Sequence, residues 1–310
     1  MAEKQPEYAS QEMIDEAVRL IHYRYYELEK RIGDLLTLYR QGIPTDVFPY
    51  QPPQMDTDHR IPVWICWWQG FEQAPELVRM CRKNAYTQFN ERDFRIIEIT
   101  FDNLREYMDF PSWIWDKYNA GIITKTQLSD LLRCGLLYYH GGLWMDATYF
   151  LTKSFPVENL KDRPLHTLHL AGFEGIHISQ GRWTMNFLYT TKGHLFPRFV
   201  LNAFYYYYAA YDELFDYFMV DYFARMIYNY SDEVQKVIDE LPPEQPAAFL
   251  LQSVLNEVYP SEEFERAKET TSIFKLNYYE KELKKQTEDG RSTVYGHLVS
   301  ATLRQGAFDV

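Results

Sequence analysis

The sequence predicts an α/β protein built on a mainly parallel, doubly wound sheet, and three observations carry that prediction. Residues 61–68 (IPVWICWW) and 93–100 (DFRIIEIT) are short, apolar, β-branched and aromatic runs. Between them Pro75 to Gln88 reads as a helix with proline near its start. Strand, helix and strand in that order form the unit of a parallel sheet, because the crossover must return over the sheet face. The third observation is the stretch 121–150, GIITKTQLSDLLRCGLLYYHGGLWMDATYF, where a helix stops at Gly141-Gly142 and the chain resumes as a strand.

Taken in order, the chain opens with a helix from about Gln11 to Arg40, capped by Ser10 and ended by Gly42 and Pro44. It defines an N-terminal helical extension, residues 1–43, that packs on the rest. Residues 44–60 hold four prolines and make an extended connection. In the first strand Val63, Ile65 and Trp67 point one way and Trp64, Cys66 and Trp68 the other. Gln69-Gly70 form a turn, and after the second strand short helices are expected at 101–108 and 111–118.

In the central stretch a helix is expected from Ile122 to Tyr139. Leu128, Leu131, Leu132, Gly135 and Tyr139 recur at helical spacing, while Thr126, Asp130 and Arg133 share another stripe. An acid and a base therefore occupy one face of a mostly buried helix. Glycine supplies the left-handed backbone that the reversal at Gly141-Gly142 needs. Leu143 to Met145 then form a strand ending at Asp146, and strand ends are where open α/β sheets bind ligands.

Beyond this, TYFLTKSFP predicts another strand, and 166–191 further sheet and loop. His166, His169 and His177 lack the spacing of a zinc site and are expected to be exposed or hydrogen-bonded. Residues 196–230, with Tyr205 to Tyr208 in succession, read as a buried helix, a groove for a lipid-linked acceptor being the sharper alternative. Asp221 falls in this run and takes no role. Residues 231–270, with LPPEQP, read as a hinge-like loop between helices, and 44–310 as one domain whose part from about 196 is helical.

Composition narrows the function. The net charge of −12 excludes a nucleic-acid polyanion as partner, since phosphate backbones recruit excess lysine and arginine. Aromatics make up 17% of the chain, suiting thick packing and sugar-stacking platforms alike. Cys66, Cys81 and Cys134 lack metal-ligand spacing and read as buried, reduced thiols. A polar N-terminus and the lack of any run near the ~20 apolar residues of a membrane span predict a cytoplasmic protein.

The block SDLLRCGLLYYHGGLWMDAT, with IPVWICWWQGFEQAPELVRMC upstream, resembles capsular polysaccharide synthesis proteins, which are related to glycosyltransferase family 32 and to the glucosylating domains of large clostridial toxins. The resemblance covers about a third of the chain and implies a GT-A (Rossmann-like) glycosyltransferase core within 44–310. It implies a retaining hexosyltransferase, with galactose or glucose most expected, drawing on a nucleotide-diphosphate donor of the UDP-hexose type. The acceptor implied is a glycan, as on an undecaprenyl diphosphate, with peripheral association at the inner face of a bacterial membrane. The basic and aromatic residues Arg19, His22, Tyr23, Arg24, Tyr26, Lys30 and Arg31 of the first helix, and Tyr205 to Tyr211, are the surfaces such an association would use.

By the same resemblance Asp130 binds donor-sugar hydroxyls, Arg133 holds sugar or diphosphate oxygens, and Trp144 fills the aromatic position before the acid. Either Trp67 or Trp68 stacks on the nucleotide base; independently of the resemblance, Trp183 follows the Gly181-Arg182 turn and reads as an acceptor-side contact. Asp146 is the carboxylate for Mn2+ or Mg2+, which would offset charge on the leaving diphosphate. Most enzymes of this fold place a second acid two residues on, where this chain has Thr148, a weak neutral metal ligand that would act through water or the diphosphate; His297, in the C-terminal stretch, is a further candidate metal ligand for closing the site. Two other readings stay open: a sugar-nucleotide-binding protein without turnover, motivated by Thr148, and a two-carboxylate glycoside hydrolase.

Overall fold

The computed structural model describes residues 11–42, 46–55, 58–170, 177–279 and 282–304. Where one helix is expected the chain forms two, α1 (Gln11–Arg31) and α2 (Gly33–Arg40). Ile32 leaves the helical conformation at φ −115°, ψ 20°, and is followed by Gly33, a poor helix former. Ile32 is fully buried with Leu28, Leu35 and Leu36, so the break keeps both segments against the core. Ser10 and the 43/44 boundary lie outside the described residues.

The strand–helix–strand unit follows as β1 (Ile61–Cys66), α3 (Glu76–Gln88) and β2 (Phe94–Ile99), with β1 and β2 parallel. Next come α4 (Ser112–Asn119) and α5 (Lys125–His140), then β3 (Gly142–Met145) and β4 (Tyr149–Leu151). The chain continues through β5 (Leu165–Thr167), β6 (Phe187–Thr190), α6 (Leu195–Ala210), α7 (Met219–Tyr230) and α8 (Asp232–Asp239). It closes with α9 (Leu250–Val254), α10 (Glu262–Thr270), β7 (Ile273–Lys275) and α11 (Val294–Arg304).

The central sheet has the order β2-β1-β3-β6-β5. β1 is parallel to both neighbours, while β6 runs against β3 and β5, so four of the five strands share one direction. This is the mixed α/β, mainly parallel architecture the sequence predicts. The alternation predicted for the first strand holds: Trp64 and Trp68 pack with α2, α5, α6 and α7, whereas Val63 and Ile65 pack with α3 on the other face. A third cluster joins the far side of α3 to α9, α10, α11 and β7.

Three local features position the site. α5 starts at Lys125 and not at Ile122, because Thr124 and Gln127 form a reciprocal capping box. At its other end Gly141 and Gly142 take φ of 73° and 97°, and a Cβ on Gly142 would meet the Pro62 carbonyl of β1. β3 thus lies flush against β1, with Val63 opposite Leu143 and Trp64 opposite Trp144. Finally, β4 leaves the main sheet and pairs antiparallel with β7, which sets Tyr149 opposite Lys275.

The run 196–230 is also interrupted: residues 211–218 separate α6 from α7. Tyr205, Tyr207 and Tyr208 are buried in the core, so the succession of tyrosines is packing and not an open groove. Among the described residues no helix is long and apolar enough to cross a membrane.

Candidate functional site

Side chains alternate along a strand, so Trp144 and Asp146 project to the same face of β3, the one that α5 covers. Asp130 and Arg133, one helical turn apart on α5, meet them there. Arg133 Nη1 donates to Asp130 Oδ1 at 3.0 Å and Nη2 to Asp146 Oδ1 at 3.3 Å. Trp144 Nε1 donates to the same Asp146 oxygen at 2.9 Å, and the guanidinium lies 5.1 Å from the Trp144 ring centre. Asp146 Oδ2 faces the other way and accepts from Lys275 Nζ at 3.2 Å. The same ammonium donates to Thr148 Oγ1 at 2.6 Å.

Asp130, Arg133, Asp146 and Lys275 floor a cavity of about 550 Å³. Its walls come from α1 through Ala17, Leu20, Ile21 and Arg24, from the 177–186 loop, and from Tyr217, Phe218 and Asp221 at the start of α7. Arg24 is ion-paired to the buried Asp216, which ties α1 to the 211–218 loop. Asp221 Oδ1 accepts from Trp183 Nε1 at 3.0 Å.

The electrostatics follow from three carboxyls sharing two cations. Burial pushes Asp130 up to about 7, against the pull of Arg133, and Asp221 up to about 6. Asp146 is hemmed in by protein, which alone would raise it, but Lys275 and Arg133 together hold it below the usual carboxylate range. Its side chain keeps 29% of its surface open, so water and ligands reach it through the cavity. Arg133 Nε is a buried donor with no hydrogen-bond partner, which marks the floor as incompletely satisfied by protein.

With this geometry in place the comparisons can be stated. A family profile described as capsular polysaccharide synthesis protein matches residues 30–298. The chain belongs to that family. Among solved structures it is similar to the PaToxG glycosyltransferase, with a TM-score of 0.36 and 13% identity over 71% of this chain and 82% of that one. No curated protein matches it.

For this capsular polysaccharide synthesis protein, Asp130, Arg133, Trp144, Asp146 and Thr148 gather at one place. Trp183 lines the same cavity, buried, with its indole N–H committed to Asp221. Trp67 and Trp68 do not line it: Trp67 packs on Tyr278, and Trp68 stacks on Phe101 and donates to Ser129 Oγ. His297 stands apart, stacked on Tyr259 beside a separate cavity of about 270 Å³. His166 is buried with neither ring nitrogen hydrogen-bonded, contrary to expectation, and burial drives it down to about 4, so it is neutral packing.

Two site residues escape sequence reasoning. Asp221 sits in YFMVDYF, where a lone acid in an aromatic helix start is a visible but unspecific signal. Lys275 gives no signal at all, since it reaches Asp146 only through the pairing of β7 with β4.

The donor set at this strand end does not fit a divalent cation. A hard cation is held through carboxylate oxygens, with waters and substrate phosphates filling the remaining positions. Here the one acid has both oxygens engaged, and the hydroxyl in the second acid's place is bound to an ammonium. Among the described residues no cluster of three His, Cys, Asp or Glu side chains could hold a metal.

Proposed function

We propose that the chain transfers a hexose, with retention, from a nucleotide-diphosphate sugar to a hydroxyl of a glycan acceptor in the synthesis of a surface polysaccharide. The observation that carries this is the Asp130–Arg133–Asp146 chain at the floor of the cavity, placed at the end of β3 in a family of capsular polysaccharide synthesis proteins. Donor transfer leaves a diphosphate whose charge grows as the anomeric bond breaks, and preorganised cationic donors are suited to receive it. Arg133 and Lys275 are such donors. Asp130 has a buried acceptor oxygen for sugar hydroxyls, and UDP-galactose and UDP-glucose are the donors of choice.

The acceptor reaches the cavity on the side of Tyr217 and Phe218, exposed aromatics that suit the faces of sugar rings. Asp221, poised near 6 beside them, is placed to take a hydrogen bond from the incoming hydroxyl. A two-carboxylate hydrolase is the less favoured reading, because Asp130 and Asp146 are both engaged by the Arg133 guanidinium and Asp146 also by Lys275.

The test is a thermal-stability screen of nucleotide sugars, followed by product analysis with the best donor. A donor at 100 times its Kd adds about 2.7 kcal/mol to stability. Nuclear magnetic resonance of the product then reads the anomeric configuration. Absence of stabilisation by every nucleotide sugar would remove the donor assignment, and an inverted product would remove retention.

A further inference from the structure

Lys275 occupies the position where the family resemblance places a divalent cation, and nothing in the resemblance accounts for it. Its ammonium bridges Asp146 Oδ2 and Thr148 Oγ1, the acid and the residue two positions later. The backbone fixes it there: β7 pairs with β4 at Tyr149↔Lys275, Leu276 N donates to the Thr148 carbonyl at 2.9 Å, and Lys275 N to the Ala248 carbonyl at 2.8 Å. The side chain is 18% exposed and lines the cavity. An ammonium carries three donors, of which these bonds use two, leaving one N–H for a ligand oxygen.

We propose that Lys275 is the built-in cation of this site, replacing the divalent metal in binding the donor diphosphate and in supporting its departure. The inference rests on the nucleotide-sugar reading above. In the transfer step the bond from the anomeric carbon to the β-phosphate oxygen breaks, and its electron pair stays on that oxygen. The acceptor oxygen bonds to the anomeric carbon, and its proton passes to the departing phosphate. Lys275 and Arg133 donate to the diphosphate oxygens as this charge grows, so no further cation is needed for the balance. Thr148 has a role in this scheme that an acid would not fill: a neutral hydroxyl holds the ammonium without cancelling its charge. Asp146 positions both cations, one on each oxygen.

The test uses the intact protein with UDP and GDP as probes, by titration calorimetry in EDTA and in millimolar manganese. Wild-type affinity for the preferred diphosphate is expected to be equal in the two conditions. Lys275→Met should weaken it by about 10- to 100-fold, the loss of one charge-assisted contact, and Lys275→Arg should keep metal-free binding. Lys275→Glu, whose longer side chain brings a second carboxylate toward Asp146, should bind manganese without nucleotide, where the wild type does not. Circular dichroism of each variant checks the fold. Wild-type binding that requires manganese, or Lys275→Met binding like the wild type, would overturn the inference while leaving the donor reading standing. If the wild type binds neither diphosphate in either condition, the donor reading falls and this one with it.

Discussion

Asp146 makes its contacts to groups from three separate elements, Trp144 on β3, Arg133 on α5 and Lys275 on β7. Its charge holds two cations in register, so Asp146→Asn should lower transfer by about 10²- to 10³-fold, the usual effect of disturbing one preorganised group. The fold should persist by circular dichroism, because the amide is isosteric and partly open to the cavity. Full activity in the purified variant would show that the cations need no anchor. Asp130 and Asp221 make a different prediction. Their folded values, about 7 and about 6, lie above the unfolded carboxyl value of about 4, so the folded state takes up protons across that window. Unfolding free energy should therefore fall as pH rises from 5 to 7.5, by up to about 1.4 kcal/mol per pH unit for each proton. The lowered Asp146 acts in the opposite sense, its contribution being present at neutral pH and lost only as pH falls through the acid range. Urea titrations across this range should show a shallower slope for Asp130→Asn, and an unchanged slope would mean that Asp130 stays ionised. Of these residues, helical periodicity puts Asp130 and Arg133 on one stripe and the strand after Gly141-Gly142 ends at Asp146, but their roles are implied by the resemblance of the SDLLR and GGLWMDAT segments. Lys275 was invisible because only long-range strand pairing places it.

The turn between α5 and β3 sets how far Asp146 reaches, and it depends on two glycines. Gly142 combines a φ of 97° with a Cβ position that the Pro62 carbonyl already fills. Gly142→Ala must either strain the backbone or push β3 away from β1, at a cost of about 3 kcal/mol. Because β3 carries Trp144 and Asp146, transfer should fall along with stability, and Gly121→Ala is the control. Gly121 also has positive φ, but nothing lies within 4 Å of its Cβ position, so its cost is limited to the backbone. Equal stability losses in the two variants, read by urea unfolding, would show that the contact with β1 does not matter. The α5–β3 turn was legible because Gly-Gly after a helical run is direct local chemistry. The breaks at Ile32 and at 211–218 were not, since a lone Gly33 weakens a helix without dictating a break and 211–218 has no glycine or proline; it is burial of Ile32 and the tie from Arg24 to Asp216 that decide the geometry.

The distribution of charge bears on how the whole molecule would meet a membrane surface. The first helix carries the basic cluster that its sequence offers to anionic lipid, but the fold engages three of its cations in ion pairs, leaving Arg19 and His22 exposed. Arg24 pairs with Asp216, Arg31 with Glu213 and Lys30 with Glu27, and Arg40 of α2 lies near Glu29. Beside the cavity α1 also shows apolar and aromatic residues to solvent, Leu20, Tyr23 and Tyr26, next to the exposed Arg19 and His22. With a net charge of −12, adsorption to an anionic surface is then opposed over the Debye length of about 8 Å at physiological salt. Co-sedimentation should accordingly show weaker binding to phosphatidylglycerol vesicles than to phosphatidylcholine vesicles, with the difference closing as salt is raised. Any binding to the neutral vesicles should fall on Leu20→Ser with Tyr23→Ser, which alters the exposed face and leaves the ion pairs intact. Strong binding to the anionic vesicles that salt reverses would mean that the exposed basic residues of α1, Arg19 and Lys30 among them, outweigh the net charge at the surface.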